Sequence, residues 1–111
     1  MKPELHNAID QAFHQARQAL AAGDPQCAYP WLERAHILSQ RLPLPHARSH
    51  WLMLLAGWQQ RDFREVLGQA LRIPAALLFS RLWVPLGNTG RARISAFKPM
   101  PLAEEMRRLL D

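Results

Sequence analysis

The stretch ERAHILSQRLPLPHARSHW, residues 33–51, gathers five polar side chains with chemistry to offer: Glu33, His36, Gln40, His46 and His50. His36 and Gln40 are four residues apart, and so are His46 and His50, so on helices each pair shares a face. Pro43 and Pro45 lie between the pairs. With Leu42-Pro43-Leu44-Pro45 as the turn of an antiparallel hairpin, residues equidistant from Pro43 stand side by side. His36 then faces His50, Gln40 faces His46, and Glu33 lies one turn deeper on the side of His36. Helix axes ~8–10 Å apart leave room for imidazoles to meet between them.

Two kinds of chemistry suit such a cluster. His-x3-His offers two imidazole ligands from one helix, and His36 supplies a third. Glu33 would be a fourth ligand, or the acceptor that orients His36. Three nitrogens and an open position suit zinc, copper, nickel or iron. The intervening residues lack the His-Glu-x-x-His pattern of zinc proteases. Glu33-x-x-His36 occurs once where a carboxylate-bridged dinuclear site needs two copies, so a dinuclear site is rejected. The leading expectation for the cluster is instead a structural network, in which the imidazoles and Gln40 satisfy the last carbonyls of one helix and the first amides of the next. The bases Arg34, Arg41 and Arg48 nearby weigh against a cation.

Other residues carry less. Trp51 and Trp58, seven apart on one helical face, read as core or as the lining of a partner groove. Cys27 is the only cysteine, so no internal disulfide and no cysteine-rich zinc site can form. It falls in a first helical turn, where a dipole favours thiolate, but a buried structural thiol is the expectation. His6 and His14 read as surface residues. Ser39, Ser49, Ser80 and Ser95 have no His/Asp partner at a recognisable spacing. Gly87-Asn88-Thr89-Gly90, followed by Arg91, Arg93 and Lys98, reads as a tight turn with solvated bases. An amide nest for phosphate is the other reading, without the Gly-Lys-Ser ending of a P-loop.

The elements that must position these residues are helices. Leu5, Ile9, Ala12, Phe13, Ala16 and Leu20 follow helical periodicity, which predicts a helix over about Pro3–Ala22, stopped by Gly23. Asp24-Pro25 is an N-cap followed by a first-turn proline. It opens a second helix to about Gln40, with Pro30 inside. A third runs from about His46 to Gln60, with Trp51, Leu54, Leu55 and Trp58 as its apolar face. Asp62 caps a fourth, with Glu65 completing a capping box. That helix breaks near Leu71, ahead of Pro74, and resumes at a changed angle toward Trp83. From Val84 the Pro/Gly-rich segment is read as irregular, laying Ile94, Phe97 and Met100 back on the helices, with a last short helical turn in AEEMRRLLD. The fold class is therefore all-α, antiparallel helical hairpins, in one domain of residues 1–111: a helical core over 1–83 and a C-terminal wrap over 84–111.

Two resemblances add to this. Aligning Asp24 with Asp62 gives an internal echo 38 residues apart. Ala28, Leu32 and Ala35 after Gly23-Asp24 resemble the second helix of a tetratricopeptide repeat, over residues 8–73. The tryptophan and tyrosine usual in its first helix are absent. That resemblance implies stacked antiparallel helix pairs. The segments LERAHILSQ, PHARSHWLML, REVLGQALRIP and VPLGNTGRARISAFKPMP resemble a family of small bacterial proteins known as domain of unknown function 3703. The resemblance implies a bacterial helical protein and brings no activity, cofactor or catalytic residue with it. The familiar pattern has a second glycine where this chain has Arg91.

Composition bounds the rest. The chain of 111 residues carries a net charge of +5, all of it from residues 46–111. Twelve of its fourteen bases are arginine, in no run longer than two, so a solvated surface is expected rather than nucleic-acid binding. The longest apolar run, PAALLF, is too short to span a bilayer, which takes ~20 residues. The N-terminus lacks an apolar signal region, and with one cysteine a cytoplasmic location is expected. With no catalytic constellation, the leading expectation is a non-enzymatic interaction or scaffold protein with a protein partner. The alternative is a mononuclear metal- or haem-binding protein using His36, His46 and His50.

Overall fold

The computed structural model describes residues 2–111. The helices are α1 (Pro3–Ala21), α2 (Pro25–Ser39), α3 (Pro43–Gln59), α4 (Phe63–Phe79) and α5 (Glu104–Leu110). The fold is all-α, and the described residues hold no strand. Consecutive helices pack against each other as hairpins, and α5 returns across α1 and α2. Gly23 leaves α1 at φ +73, in the left-handed region that glycine enters without a Cβ penalty. Asp24 and Asp62 both act as N-caps, accepting from Cys27 N at 3.2 Å and Glu65 N at 3.3 Å. The 38-residue echo therefore marks two equivalent helix starts.

The turn between α2 and α3 differs from the sequence expectation. Both prolines belong to α3, and only Gln40, Arg41 and Leu42 separate the helices. First-turn amides have no acceptor within their own helix, so Pro43 and Pro45 remove nothing there. Leu42, extended at φ −111 and ψ 105, is the residue that proline disfavours in a helix. The hairpin is centred on Arg41, so His36 lies five residues before the midpoint and His46 five after. The fourth helix also differs: α4 runs unbroken through Pro74. Proline removes the amide that would bond the Ala70 carbonyl, but Ala70 is exposed and water can serve it.

The core has two halves. Phe13, Leu32, Leu38 and Met53 lie at the centre of a dry half between α1, α2 and α3, covered by Met106, Leu109 and Leu110. The other half, between α2, α3, α4 and the segment 84–103, buries polar groups: His36, Gln40, His46, His50, Glu65, Gln69 and Asn88 among them. Trp51 and Trp58 are not core; they are 48% and 62% exposed. The inward face of α3 carries His46, Ser49, His50 and Met53 instead, one helical step around from the tryptophans. Cys27 is exposed, and hydrogen bonding to Asp24 pushes its thiol up rather than toward thiolate.

The C-terminal segment is held by polar clamps more than by the apolar residues expected to anchor it. Gln40 donates to the Pro85 carbonyl at 3.1 Å and accepts from Gly87 N at 2.9 Å. Arg72 donates to the carbonyls of Gly90 at 2.7 Å and Ile94 at 2.8 Å. Glu65 is fully buried and does not complete a capping box. Its carboxylate accepts from Ala92 N, Arg91 Nε and Gln69 Nε2, each at 3.0 Å. Phe97 is 77% exposed and does not pack down.

Glu65→Ala should therefore release the segment. Removing one partner of a buried, hydrogen-bonded charge costs about 3–5 kcal/mol. Urea unfolding should show a loss of that order, and limited proteolysis should cut within residues 84–103 faster than in the parent.

Candidate metal centre

His36 comes from the last turn of α2, and His46 and His50 from the first half of α3. All three are buried. His46 Nε2 lies 3.0 Å from His36 Nε2 and 3.1 Å from His50 Nε2. The ring centroids form a nearly equilateral triangle of 4.7, 4.7 and 4.8 Å. Two nitrogens bound at about 2.05 Å to one tetrahedral ion stand about 3.3 Å apart. The two separations from His46 are within a few tenths of an ångström of that.

The opposite ring nitrogens decide where the protons sit. His36 Nδ1 is 2.7 Å from the Asn88 carbonyl, which can only accept, so His36 carries its proton on Nδ1. His50 Nδ1 is 2.6 Å from Gln69 Oε1. The Gln69 amide is oriented by its donations to Glu65 at 3.0 Å and the Gly90 carbonyl at 2.8 Å, so its oxygen faces His50 and accepts. His46 Nδ1 is 2.7 Å from Ser80 Oγ, whose own hydrogen goes to the Ala76 carbonyl. Each Nδ1–H thus donates outward, and each Nε2 lone pair points to the centre.

The rings are neutral at ordinary pH. Burial first, then the neighbouring imidazoles, holds His36 well below its usual value. Burial lowers His46 to about 4. Burial, then His46, lowers His50 to about 3. Neutral imidazole is the form that ligates a metal.

Not every residue of the expected cluster joins it. The three histidines come together, and the His36 ring stands equally near those of His46 and His50, at 4.7 Å from each. Gln40 lines the same cavity but spends its amide on the C-terminal segment. Glu33 is not in the group: its carboxylate lies 3.4 Å from Arg91 Nη1. Arg34 pairs with Glu105, and Arg48 stacks over Phe13 at 5.5 Å, so neither of those bases bears on the site. The helix-junction network accounts for part of the ring environment, since the Gln40 backbone at the end of α2 acts on His46, while the acceptors of the three Nδ1 atoms lie on α4 or beyond it.

The places of Gln69, Ser80, Asn88 and Gly90 beside the imidazoles are not legible in the sequence. The signal for the last two was the GNTG turn. Three of its amides are taken, Gly87 N by Gln40 Oε1 at 2.9 Å, Asn88 N by Pro85 O at 3.0 Å and Gly90 N by Asn88 Oδ1 at 2.8 Å. It is a cover for His36 rather than a phosphate nest. A cavity of about 330 Å³ opens beside the imidazoles.

The arrangement is that of an all-α protein with three inward-facing imidazoles under a glycine-containing loop. Residues 3–110 match the family described as Protein of unknown function (DUF3703), and the chain belongs to that family. No curated protein and no solved structure matches it.

Gly90 has a testable place here. Its φ is +88, and a Cβ would stand 2.6 Å from His36 Cδ2. At Gly23, φ +73, a Cβ meets nothing within 4 Å. Gly23→Ala should cost only the left-handed strain, about 1–2 kcal/mol. Gly90→Ala should cost more by about 1–3 kcal/mol of overpacking. Equal losses in chemical denaturation would mean that the loop does not press on His36.

Proposed function

We propose that this chain is a mononuclear metal-binding protein, coordinating one ion through Nε2 of His36, His46 and His50. One observation carries the reading: three neutral imidazoles have their Nδ1 protons committed outward, and their candidate ligand nitrogens gather within 4.8 Å of one another, His46 Nε2 standing 3.0 and 3.1 Å from the other two. In a buried site their lone pairs repel unless a cation lies between them. Acceptors on Asn88, Gln69 and Ser80 fit the outer partners that ligating histidines keep. Imidazoles without thiolate or carboxylate suit zinc, copper, nickel or iron. The haem version fits less well. Two axial nitrogens stand about 4 Å apart across an iron, twice a metal–nitrogen bond, and His46 Nε2 stands only 3.0 and 3.1 Å from its two neighbours.

Protein purified without a polyhistidine tag should bind one ion per chain, read by elemental analysis, with a rise in melting temperature. Single alanine variants of His36, His46 or His50 should abolish stoichiometric binding. His6→Ala and His14→Ala, both at exposed positions, should leave it unchanged. Absence of stoichiometric metal and of any thermal shift with Zn, Cu, Ni or Fe removes the reading. A single proton shared between two Nε2 atoms would then be what holds the rings together.

A second reading, an interaction module, is favoured by a separate observation. Trp51, Trp58, Phe63, Leu67, Leu71 and Leu78 are exposed on α3 and α4, and the rings of Trp58 and Phe63 meet edge to face at 5.7 Å. Large exposed apolar patches mark contact surfaces. The purified protein should self-associate through this face, and Leu67→Lys with Leu71→Lys should return it to the monomer mass in light scattering without loss of metal. A monomer mass for the parent at every concentration, with no cross-linked partner, removes this reading.

A further inference from the structure

The cavity beside the imidazoles has an unusual balance of charge. Its described lining contains no aspartate or glutamate. Its charged member is Arg72, which donates to backbone carbonyls and has no carboxylate within ion-pair distance among the described residues. Three neutral imidazoles leave the full charge of a divalent ion uncompensated, and Arg72 adds to it. Burying like charge is costly. Glu65 attracts Arg72 at longer range, but its oxygens are committed to Ala92, Arg91 and Gln69. An anion from outside the chain is therefore what would balance the charge at the metal itself. The remaining walls state what else that anion must carry. Ala75, Ala76, Phe79, Leu82, Val84 and Ala96 form an apolar lining. Phe79, Leu82 and Phe97 are 54%, 78% and 77% exposed, and give the cavity an apolar rim where water would favour polar side chains. At about 330 Å³ the space is at the small end of ligand pockets, which run ~300–1,000 Å³.

We propose that this cavity binds a small amphiphilic carboxylate, its head completing the coordination of the metal next to Arg72 and its hydrocarbon body lying along α4 toward Phe79. The inference rests on the metal-binding reading above. The two parts of the ligand answer two separate features. The head supplies negative charge in contact with the metal, where Glu65 reaches only through Gln69. The body covers apolar walls that are otherwise wet. A simple hydroxide or water would complete the coordination but leave the apolar chamber and its exposed rim without a role.

The test uses cobalt(II)-loaded full-length protein, with metal content measured first. Octanoate should shift the visible cobalt bands and change the fluorescence of Trp83, which lines the cavity. It should bind roughly a hundredfold or more tighter than acetate, since each buried methylene adds several-fold. Neither 1-octanol nor octylamine should shift the cobalt bands. Ala75→Trp, which fills the cavity from a position away from the ligand nitrogens, should retain cobalt and lose octanoate affinity at least tenfold. Cobalt bound at one per chain, with octanoate no better than acetate, overturns this inference and leaves the metal reading standing. Octanol binding as well as octanoate, or an Ala75→Trp variant with undiminished affinity, also overturns it. A protein that takes up no metal sinks both readings, and the metal analysis alone reports that outcome.

Discussion

Three outward hydrogen bonds, from His36 Nδ1 to the Asn88 carbonyl, from His46 Nδ1 to Ser80 Oγ and from His50 Nδ1 to Gln69 Oε1, set the chemistry of the buried polar half. Each bond fixes a tautomer, and together they turn three lone pairs inward. Were any Nδ1 unprotonated, its ring would offer a proton to the centre and the site would become an ordinary hydrogen-bonded chain. The acceptors come from three places, namely α4, the residue just after it, and the C-terminal segment. Ring orientation is therefore a property of the whole assembly and not of the α2–α3 hairpin that carries the histidines.

The segment 84–103 is in turn held by groups that belong to the same network. Gln69 donates to both Glu65 and the Gly90 carbonyl while accepting from His50. Glu65 accepts from the Ala92 amide and from Arg91, whose guanidinium also lies 3.5 Å over the Tyr29 ring. The exposed strap and the buried imidazoles share one amide side chain. Buried polar networks of this kind are rigid when every member is satisfied and unstable when one is lost. An apolar core between α1, α2 and α3 supplies the general stability that such a layer does not.

The tryptophans show how a periodic pattern misleads. Trp51, Leu54, Leu55 and Trp58 make a convincing apolar stripe, and on hydrophobicity alone it should face inward. The structure turns α3 so that His46, His50 and Ser49 face in and both tryptophans face out. Hydrophobic burial did not win there, because the inner side of α3 meets Gln69 and Ser80, and those groups need polar partners. A helix with a polar stripe inside and an apolar stripe outside is what a protein with a buried site and an external contact face would have.

What the sequence determined by itself was local. Apolar spacing, the Asp24 and Asp62 caps, Gly23 and the proline positions define the helices to within a few residues. The His-x3-His spacing with His36 nearby singles out the three imidazoles that do meet. Tertiary structure decided the rest. The register of the α2–α3 hairpin depended on whether Pro43 and Pro45 formed the turn or opened the helix, and both are sterically allowed. α4 passed through Pro74 because packing on α3 outweighs one missing amide. Glu33 left the cluster because Arg91, 58 residues later, takes its carboxylate. The acceptors that orient the rings lie 19 to 52 residues from them in the chain. No periodicity reaches across such separations; only the folded chain brings those atoms within hydrogen-bond distance.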